Sequence, residues 1–351
     1  MSSYKLRLLF TVLSVASSIA FAQQFIPFDV PEAGAGFTQG TLPRSLNDSG
    51  QVAGSYKDNS DVSHGFLRQS DGTIVTFDAP GAGSAANQGT FPLAINRQGQ
   101  IAGTALSASG SLQSFLRKGS GKFIVIEVPA SMATSVSAID PMGEVVGTYF
   151  DSNRAAHGFE RFKDGSFLLF DVPSSAGTFP TAINGKSQIA GSYKSNAQFH
   201  GFLRNPDGRF LLFDPPGSTL TSPRAINSKG EIVGSFSDVN GNHAFIRSVD
   251  GSISSFDIPA STGTFVGSVN VAGQIAGTYD PAAQSPNAAD QGICFTFQPV
   301  SAFLRQKNGS LLTFKAPDSA VTGAESINRI GVIAGEYLDG NCVSHGFVRI
   351  P

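Results

Sequence analysis

Each histidine of this chain can be matched to an aspartate at one fixed place. His64, His157, His200 and His243 are each followed fourteen residues on by Asp78, Asp171, Asp214 and Asp257, and His345 near the end has its counterpart in Asp29 near the start. A carboxylate that orients an imidazole is half of a serine-nucleophile relay, so hydrolysis is the first chemistry to weigh. The repetition argues against it. Chemistry needs one asymmetric site, whereas five equivalent pairs describe a fixture placed at the same point of similar units. Two further places in the pattern hold Gln113 with Glu127 and Ser301 with Lys315, so histidine and aspartate are lost together. Joint loss within one chain implies contact, and a glycine hairpin midway between the two positions sets them opposite each other on adjacent strands, each pair contributing roughly 0.2 to 1 kcal/mol.

Other recurring residues could also bind or react. Arginine returns at Arg68, Arg117, Arg161, Arg204, Arg247, Arg305 and Arg349, where a guanidinium with five donors is expected to clamp neighbouring units by satisfying buried carbonyls. Tyr56, Tyr149, Tyr193, Tyr279 and Tyr337 share a position, with Phe236 in a sixth copy; they are ligand-stacking candidates, although a half-buried tyrosine with its hydroxyl at the rim is also ordinary core chemistry. Acidic residues with asparagine follow at Asp58-Asn59, Asp151-Ser152-Asn153, Asp238-Val239-Asn240 and Asp339-Gly340-Asn341. None makes a complete calcium loop with a bidentate glutamate, so no metal or cofactor is expected.

The elements that must position these residues are written in a repeat. An Asn or Asp turn recurs at Asn47, Asn96, Asp140, Asn184, Asn227, Asn270 and Asn328, in steps of 49, 44, 44, 43, 43 and 58 residues. Between turns each copy carries an Ile-Ala-Gly-Ser-Tyr strand, a His-Gly-Phe-Leu-Arg strand and a Phe-Asp-x-Pro exit. Several short strands per period of about 40 to 50 residues predict a β-propeller: all-β, seven blades of four antiparallel strands. The seventh copy stops after its third strand, His345 to Ile350, and Phe25 to Val30 at the start is an orphan fourth strand. Pairing the two is expected to close the last blade and remove exposed edges.

One end of such a blade carries short, regular turns and the other carries every change of loop length, including the insertion from Pro281 to Pro299. Variable loops on a rigid scaffold are where recognition tends to sit, so binding is assigned to that face. Arg44, Arg224 and Glu325 depart from the repeat at a position filled elsewhere by Leu93, Ser137, Thr181 and Ser268. They are expected near the loop-face entrance of a central channel and are the specificity candidates. Arg154, Glu160 and Lys186 depart as well. Cys294 and Cys342 fall in the same loop of the sixth and seventh copies, a placement that predicts a disulfide once the chain is in an oxidising compartment.

Export follows from the start of the chain. Lys5 and Arg7 precede an apolar run from Leu8 to Ala20, and Ala20-Phe21-Ala22 offers a cleavage site. Residues 1–22 are therefore expected to be a signal peptide and 23–351 a single domain, secreted into the periplasm or medium without a membrane span. A net charge of −2 with no basic cluster excludes the electrostatic footprint of a nucleic-acid binder.

The motif resembles the bacterial extracellular HAF repeat, whose His-Ala-Phe tripeptide stands here as His243-Ala244-Phe245 and as His-Gly-Phe from His64, His157, His200 and His345. The match covers about residues 25 to 351, with arginine standing where that family is associated with tryptophan. The resemblance implies export and a repeat scaffold but no activity. The expectation is a secreted, monomeric, non-enzymatic propeller that binds a glycan or protein through its variable face. The alternatives are a propeller lyase or hydrolase acting on polysaccharide or cyclic peptide, for which Glu325 and two arginines lack a matching histidine, or a passive surface component.

Overall fold

In the computed structural model, which describes residues 24–282, 300–319 and 321–351, strand is the one regular element among the described residues. A short strand β1 (Gln24–Phe28) precedes the first full copy, whose strands are β2 (Gly40–Leu46), β3 (Val52–Lys57), β4 (Ser63–Arg68) and β5 (Ile74–Phe77). They pair in sequence order as an antiparallel meander, Leu46 opposite Val52, Val52 opposite Arg68 and Arg68 opposite Ile74. The later copies repeat this arrangement. β1 pairs antiparallel with Ser344–Ile350, from Gln24 opposite Ile350 to Phe28 opposite Gly346.

Three local features explain why these residues make these strands. The turn asparagine accepts two backbone N–H bonds through Oδ1 of Asn47, from Ser49 and Gln51, both at 3.0 Å, an Asx turn. The first strand bulges between Pro43 and Ser45, which accommodates a proline that an unbroken ladder would exclude. Opposite the bulge stands Gly54, where a β-carbon would lie 2.2 Å from the Leu42 carbonyl oxygen and 2.9 Å from the Phe66 ring. The strand motif therefore needs glycine at that point.

The core lies between successive sheets. Phe66, Phe159, Phe202, Phe245, Phe303 and Phe347 are fully buried, as are Ile101, Ile189, Ile232, Ile275 and Ile333. Burying one such side chain stabilises by about 1.5 to 3 kcal/mol. Each cluster draws on two copies, for example Ala182, Ala190 and Leu203 with Ile226, Ile232 and Phe245, and Val332, Ala334 and Val348 with Val52 and Phe66. The first strands of successive copies pack side by side, and Val321–Ile327 packs against β2.

The turn asparagines also link the copies. Asn47 Nδ2 donates to the carbonyl of Asn96 at 2.9 Å, Asn96 to that of Asp140 at 3.2 Å, and Asn184 to that of Asn227 at 3.0 Å. Asn227 donates to Asn270 at 3.2 Å, Asn270 to Asn328 at 3.0 Å and Asn328 back to Asn47 at 3.3 Å. The remaining junction, from Asp140 toward Asn184, has a carboxyl where the others have an amide donor.

Candidate functional site

The hairpins bring each histidine to its aspartate. His64, His157, His200 and His243 place Nδ1 at 3.0, 2.8, 2.7 and 2.9 Å from Asp78, Asp171, Asp214 and Asp257, and His345 reaches Asp29 at 2.9 Å. In every case but His200, whose loop has no aspartate, the other ring nitrogen faces a loop aspartate. Nε2 of His64, His157, His243 and His345 lies 3.6, 3.6, 3.1 and 3.7 Å from Asp58, Asp151, Asp238 and Asp339. Asp58, Asp151 and Asp339 use their other oxygen on their own turns, as when Asp58 Oδ1 accepts from Ser60 and Val62, while Asp238 uses Oδ1 for both. These four rings thus stand between two carboxylates, and only at His243 is the second contact of hydrogen-bond length. Burial opposes charge on His157, but Asp171 and Asp151 outweigh it and hold its pKa above the usual histidine value. At His243 the hydrogen bond to Asp257 acts in the same direction, against burial and with help from Asp238.

The tyrosines are covered by the same rings. Tyr56 stacks on His64 with centroids 5.0 Å apart, and Tyr149, Tyr193 and Tyr337 meet His157, His200 and His345 at 5.0, 5.2 and 5.0 Å. One face of each of these four tyrosines is thus taken by imidazole. Tyr279 lies opposite Ser301 instead and packs against the core. Burial, with Glu32 and Asp78 adding to it, pushes the Tyr56 hydroxyl up to about 12.

Six of the seven arginines clamp neighbouring copies through a different contact from the one expected, while Arg161 bonds the carbonyl of its neighbour Phe162 at 3.3 Å. Arg68 stacks its guanidinium 4.9 Å above the ring of Phe28, and Arg117, Arg204, Arg247, Arg305 and Arg349 sit 4.7 to 5.1 Å above Phe77, Phe170, Phe213, Phe256 and Phe314. Each ring belongs to the preceding copy's exit strand, or to β1 in the case of Phe28. The carbonyl that Arg68 bonds is that of its own neighbour Gln69, at 3.2 Å. A flat, weakly hydrated cation over an aromatic face suits a seam where few carbonyls are unpaired.

Arg44, Arg224 and Glu325 come together from three copies. Arg44 Nη1 lies 3.4 Å and Arg224 Nη2 4.0 Å from the same Glu325 oxygen, Oε2. Each is the bulged residue of a first strand, between Pro43 and Ser45, Pro223 and Ala225, or Ala324 and Ser326. They stand within the strand, three residues before the turn asparagine, and not at the loop-face entrance. In the sixth copy the bulged residue is Gly267, lying between Val266 and Ser268, so Ser268 is not the equivalent. A β-carbon on Gly267 would come within 2.5 Å of the Ala324 carbonyl oxygen, which explains the glycine beside Glu325.

A fourth member was missed. Glu336 replaces the Ser or Thr held elsewhere by Ser55, Thr104, Thr148, Ser192, Ser235 and Thr278, and its strand partner Gly323 replaces Leu42, Phe91, Ser135, Phe179, Ser222 and Phe265. Aligning the copies by their glycines would have exposed both changes. A β-carbon on Gly323 would stand 3.8 Å from Glu336 Cγ and 3.7 Å from Glu325 Oε1, so the missing side chain leaves room for the carboxyl. Glu336 is half-buried overall, but its Oε2 is closed off from solvent without a hydrogen-bond partner. Burial first and Glu325 second raise its pKa to about 7, against the pull of Arg44.

Among the other departures from the repeat, Arg154 sits in a loop with φ of 65°, and Lys186 reaches the Lys229 carbonyl at 3.4 Å. Cys342 is fully buried and is not a free thiol; Cys294 lies outside the described residues.

No protein-family model and no curated protein matches the chain. Solved structures do. A streptogramin B lyase superposes with a TM-score of 0.58 at 13% identity over 92% of this chain and 97% of that one. The virginiamycin B lyase of Staphylococcus aureus gives 0.59 at 13% over 93% and 100%. The β-propeller domain of the trilobed protease from Pyrococcus furiosus gives 0.59 at 10% over 88% and 95%. At such identities the likeness concerns fold: the chain is a β-propeller-like repeat protein.

Proposed function

We propose that this is an exported seven-bladed propeller whose central cluster binds an anionic ligand, most simply a carboxylate-bearing glycan. The convergence of Arg44 and Arg224 on one oxygen of Glu325 carries the proposal. While Glu336 holds its proton, two guanidiniums facing one carboxylate leave a positive charge without its counter-charge, and Arg224 is 55% exposed at a contact of 4.0 Å. A planar fork of donors is suited to a second carboxylate. Variable loops would govern which ligand reaches it.

The remaining parts of the proposal fit this scaffold. The antiparallel pairing of β1 with Ser344–Ile350 and the return of Asn328 to Asn47 support closure as a ring. Residues 1–22 serve as the signal peptide, the mature domain 23–351 acts as a monomer, and the repeat is of the HAF type. Calorimetry with D-glucuronate and with glucose tests the ligand class. The acid should bind, glucose should not, and Arg44→Gln with Arg224→Gln should abolish binding. Equal binding of both sugars, or an unaffected double variant, would refute the anion site.

A second reading is enzymatic, and Glu336 favours it. A carboxyl with a pKa of about 7 next to a second glutamate is suited to general acid–base work. Incubation with acidic polysaccharides should then yield new chain ends that Glu336→Gln fails to produce. No cleavage by the wild type would leave binding as the function.

A further inference from the structure

The belt of turn asparagines changes chemistry at one junction. Six side-chain amides donate to the next copy's turn carbonyl, at 2.9 to 3.3 Å. Asp140 occupies the corresponding place toward Asn184. It is 1% exposed, its Oδ1 accepts from Met142 and Glu144, and its Oδ2 is buried with no hydrogen-bond partner. An ionised carboxylate has nothing to donate to a carbonyl. A neutral carboxylic acid does.

We propose that Asp140 holds a proton on Oδ2 that it donates to the Asn184 carbonyl, completing the belt, and that this one seam loosens when the proton leaves. In five of the other copies the amide also donates to the side chain four residues on, as Asn47 does to Gln51 and Asn227 to Glu231. Here that residue is Glu144, whose Oε2 is already taken by Ser187 Oγ at 3.2 Å.

The surroundings are built to keep the proton. Glu160, on the third strand of the same copy, replaces the Leu67 type of residue and is 2% exposed, with Oε1 unpartnered. Three acidic side chains, Asp140, Glu144 and Glu160, thus stand where the first copy has Asn47, Gln51 and Leu67. The groups facing them from adjoining elements are Arg204, 3.9 Å from Glu160 Oε2, the neutral Ser187, Asn96, which donates to the Asp140 carbonyl, and Gln100 beside Gly143. Lys186 of the next turn is directed to Lys229. One arginine cannot neutralise three carboxylates, and among the described residues no such group is placed to hold a metal ion. Protons are the remaining counter-charge. Burial raises the Asp140 pKa, and burial with Glu144 raises Glu160 to about 7 against Arg204.

The sign follows. A carboxyl whose folded pKa is raised supplies stability that is complete below the unfolded pKa and is lost as pH rises through the folded pKa. Asp140→Asn restores the amide used at the other junctions, so the variant is expected to fold. Thermal melts of mature wild type and Asp140→Asn at pH 4 and pH 8.5 should differ little at pH 4 and separate at pH 8.5, the variant melting higher. Hydrogen exchange, corrected for intrinsic rates, should show residues 140–145 and 184–189 losing protection at pH 8.5 in the wild type and keeping it in the variant. A melting difference independent of pH, or protection lost equally at the Asn227–Asn270 junction, would overturn the proposal.

Discussion

Arg44 and Glu325 are 281 positions apart in sequence and meet at 3.4 Å. Both are extra residues in a bulged first strand, and the bulge aligns them. A bulged residue is out of register with the ladder, so it can change identity without disturbing the pairs on either side. The bulged position is therefore where this repeat varies most, holding Arg, Leu, Ser, Thr, Arg, Gly and Glu at Arg44, Leu93, Ser137, Thr181, Arg224, Gly267 and Glu325. Differences between copies that collect where the strand is least constrained are a better pointer to function than the repeated His–Asp pairs.

Gly323→Phe returns the seventh copy to the residue seen at Phe91, Phe179 and Phe265. A β-carbon there meets only ordinary van der Waals distances of 3.6 to 3.8 Å, so the ring should fold in beside Glu325 and Glu336 and fill space that a carboxylate facing the two arginines would use. We expect D-glucuronate affinity to fall at least about tenfold, about 1.4 kcal/mol, with the melting temperature nearly unchanged. Calorimetry beside a thermal melt checks both halves, and undiminished affinity would count against the central site.

Stability should decline as pH rises from about 4.5. Glu160 and Glu336 move from an ordinary 4.5 to about 7 on folding, so their contribution is lost across that interval. His157 and His243 are also raised, and their contribution goes as pH climbs from the ordinary 6.5 through their folded values. Asp58, Asp151 and Asp238 are lowered; what they supply is present above 3.8 and is lost as pH falls through their folded values. The maximum is expected in mild acid, near pH 4 to 5. Urea titrations from pH 3 to pH 9 would locate it, and a midpoint rising between pH 5 and pH 8 would contradict this account.

Removing Phe25 to Val30 should cost the last blade its outer strand. Phe25 stacks on Phe347 at 4.6 Å, Phe28 carries the Arg68 guanidinium, and Asp29 bonds His345. Fully buried Val30 with part-buried Phe25 and Phe28, at about 1.5 to 3 kcal/mol for each complete burial, set a loss of about 3 kcal/mol, and the bared edge of Ser344–Ile350 should promote aggregation. A truncated protein that stays soluble and melts like the mature chain would rule out closure by β1.

Thiol titration of the denatured, unreduced protein should find no reactive cysteine. Cys342 is buried at the edge of the last copy, and a bond to Cys294 would contribute about 2 to 4 kcal/mol. Two thiols per chain would show that the bond does not form.

Much of the site was visible before the fold, and where it was not, the reason is physical. His64 and Asp78 could be paired from their spacing because a glycine hairpin dictates which residues face each other. The Asp58 partner of His64 is only six residues away, but the loop between them has no fixed register. Arg68 was expected to bond carbonyls because its partner Phe28 lies on β1, outside its own copy, and no spacing within a copy connects them. Glu336 was passed over because its change shows only beside that of Gly323 on the facing strand.

The sequence by itself determined the repeat, the order of strands, the turns and the residues that face each other inside a hairpin. Those depend on local register, which turn length and glycine placement set within some twenty residues. Tertiary structure decided what crosses from copy to copy: arginine on phenylalanine, Arg44 and Arg224 on Glu325, and a buried Asp140 in a belt of asparagines. These contacts depend on how sheets rotate against one another, and packing of the phenylalanine and isoleucine layers between them, which no single copy contains, sets that rotation.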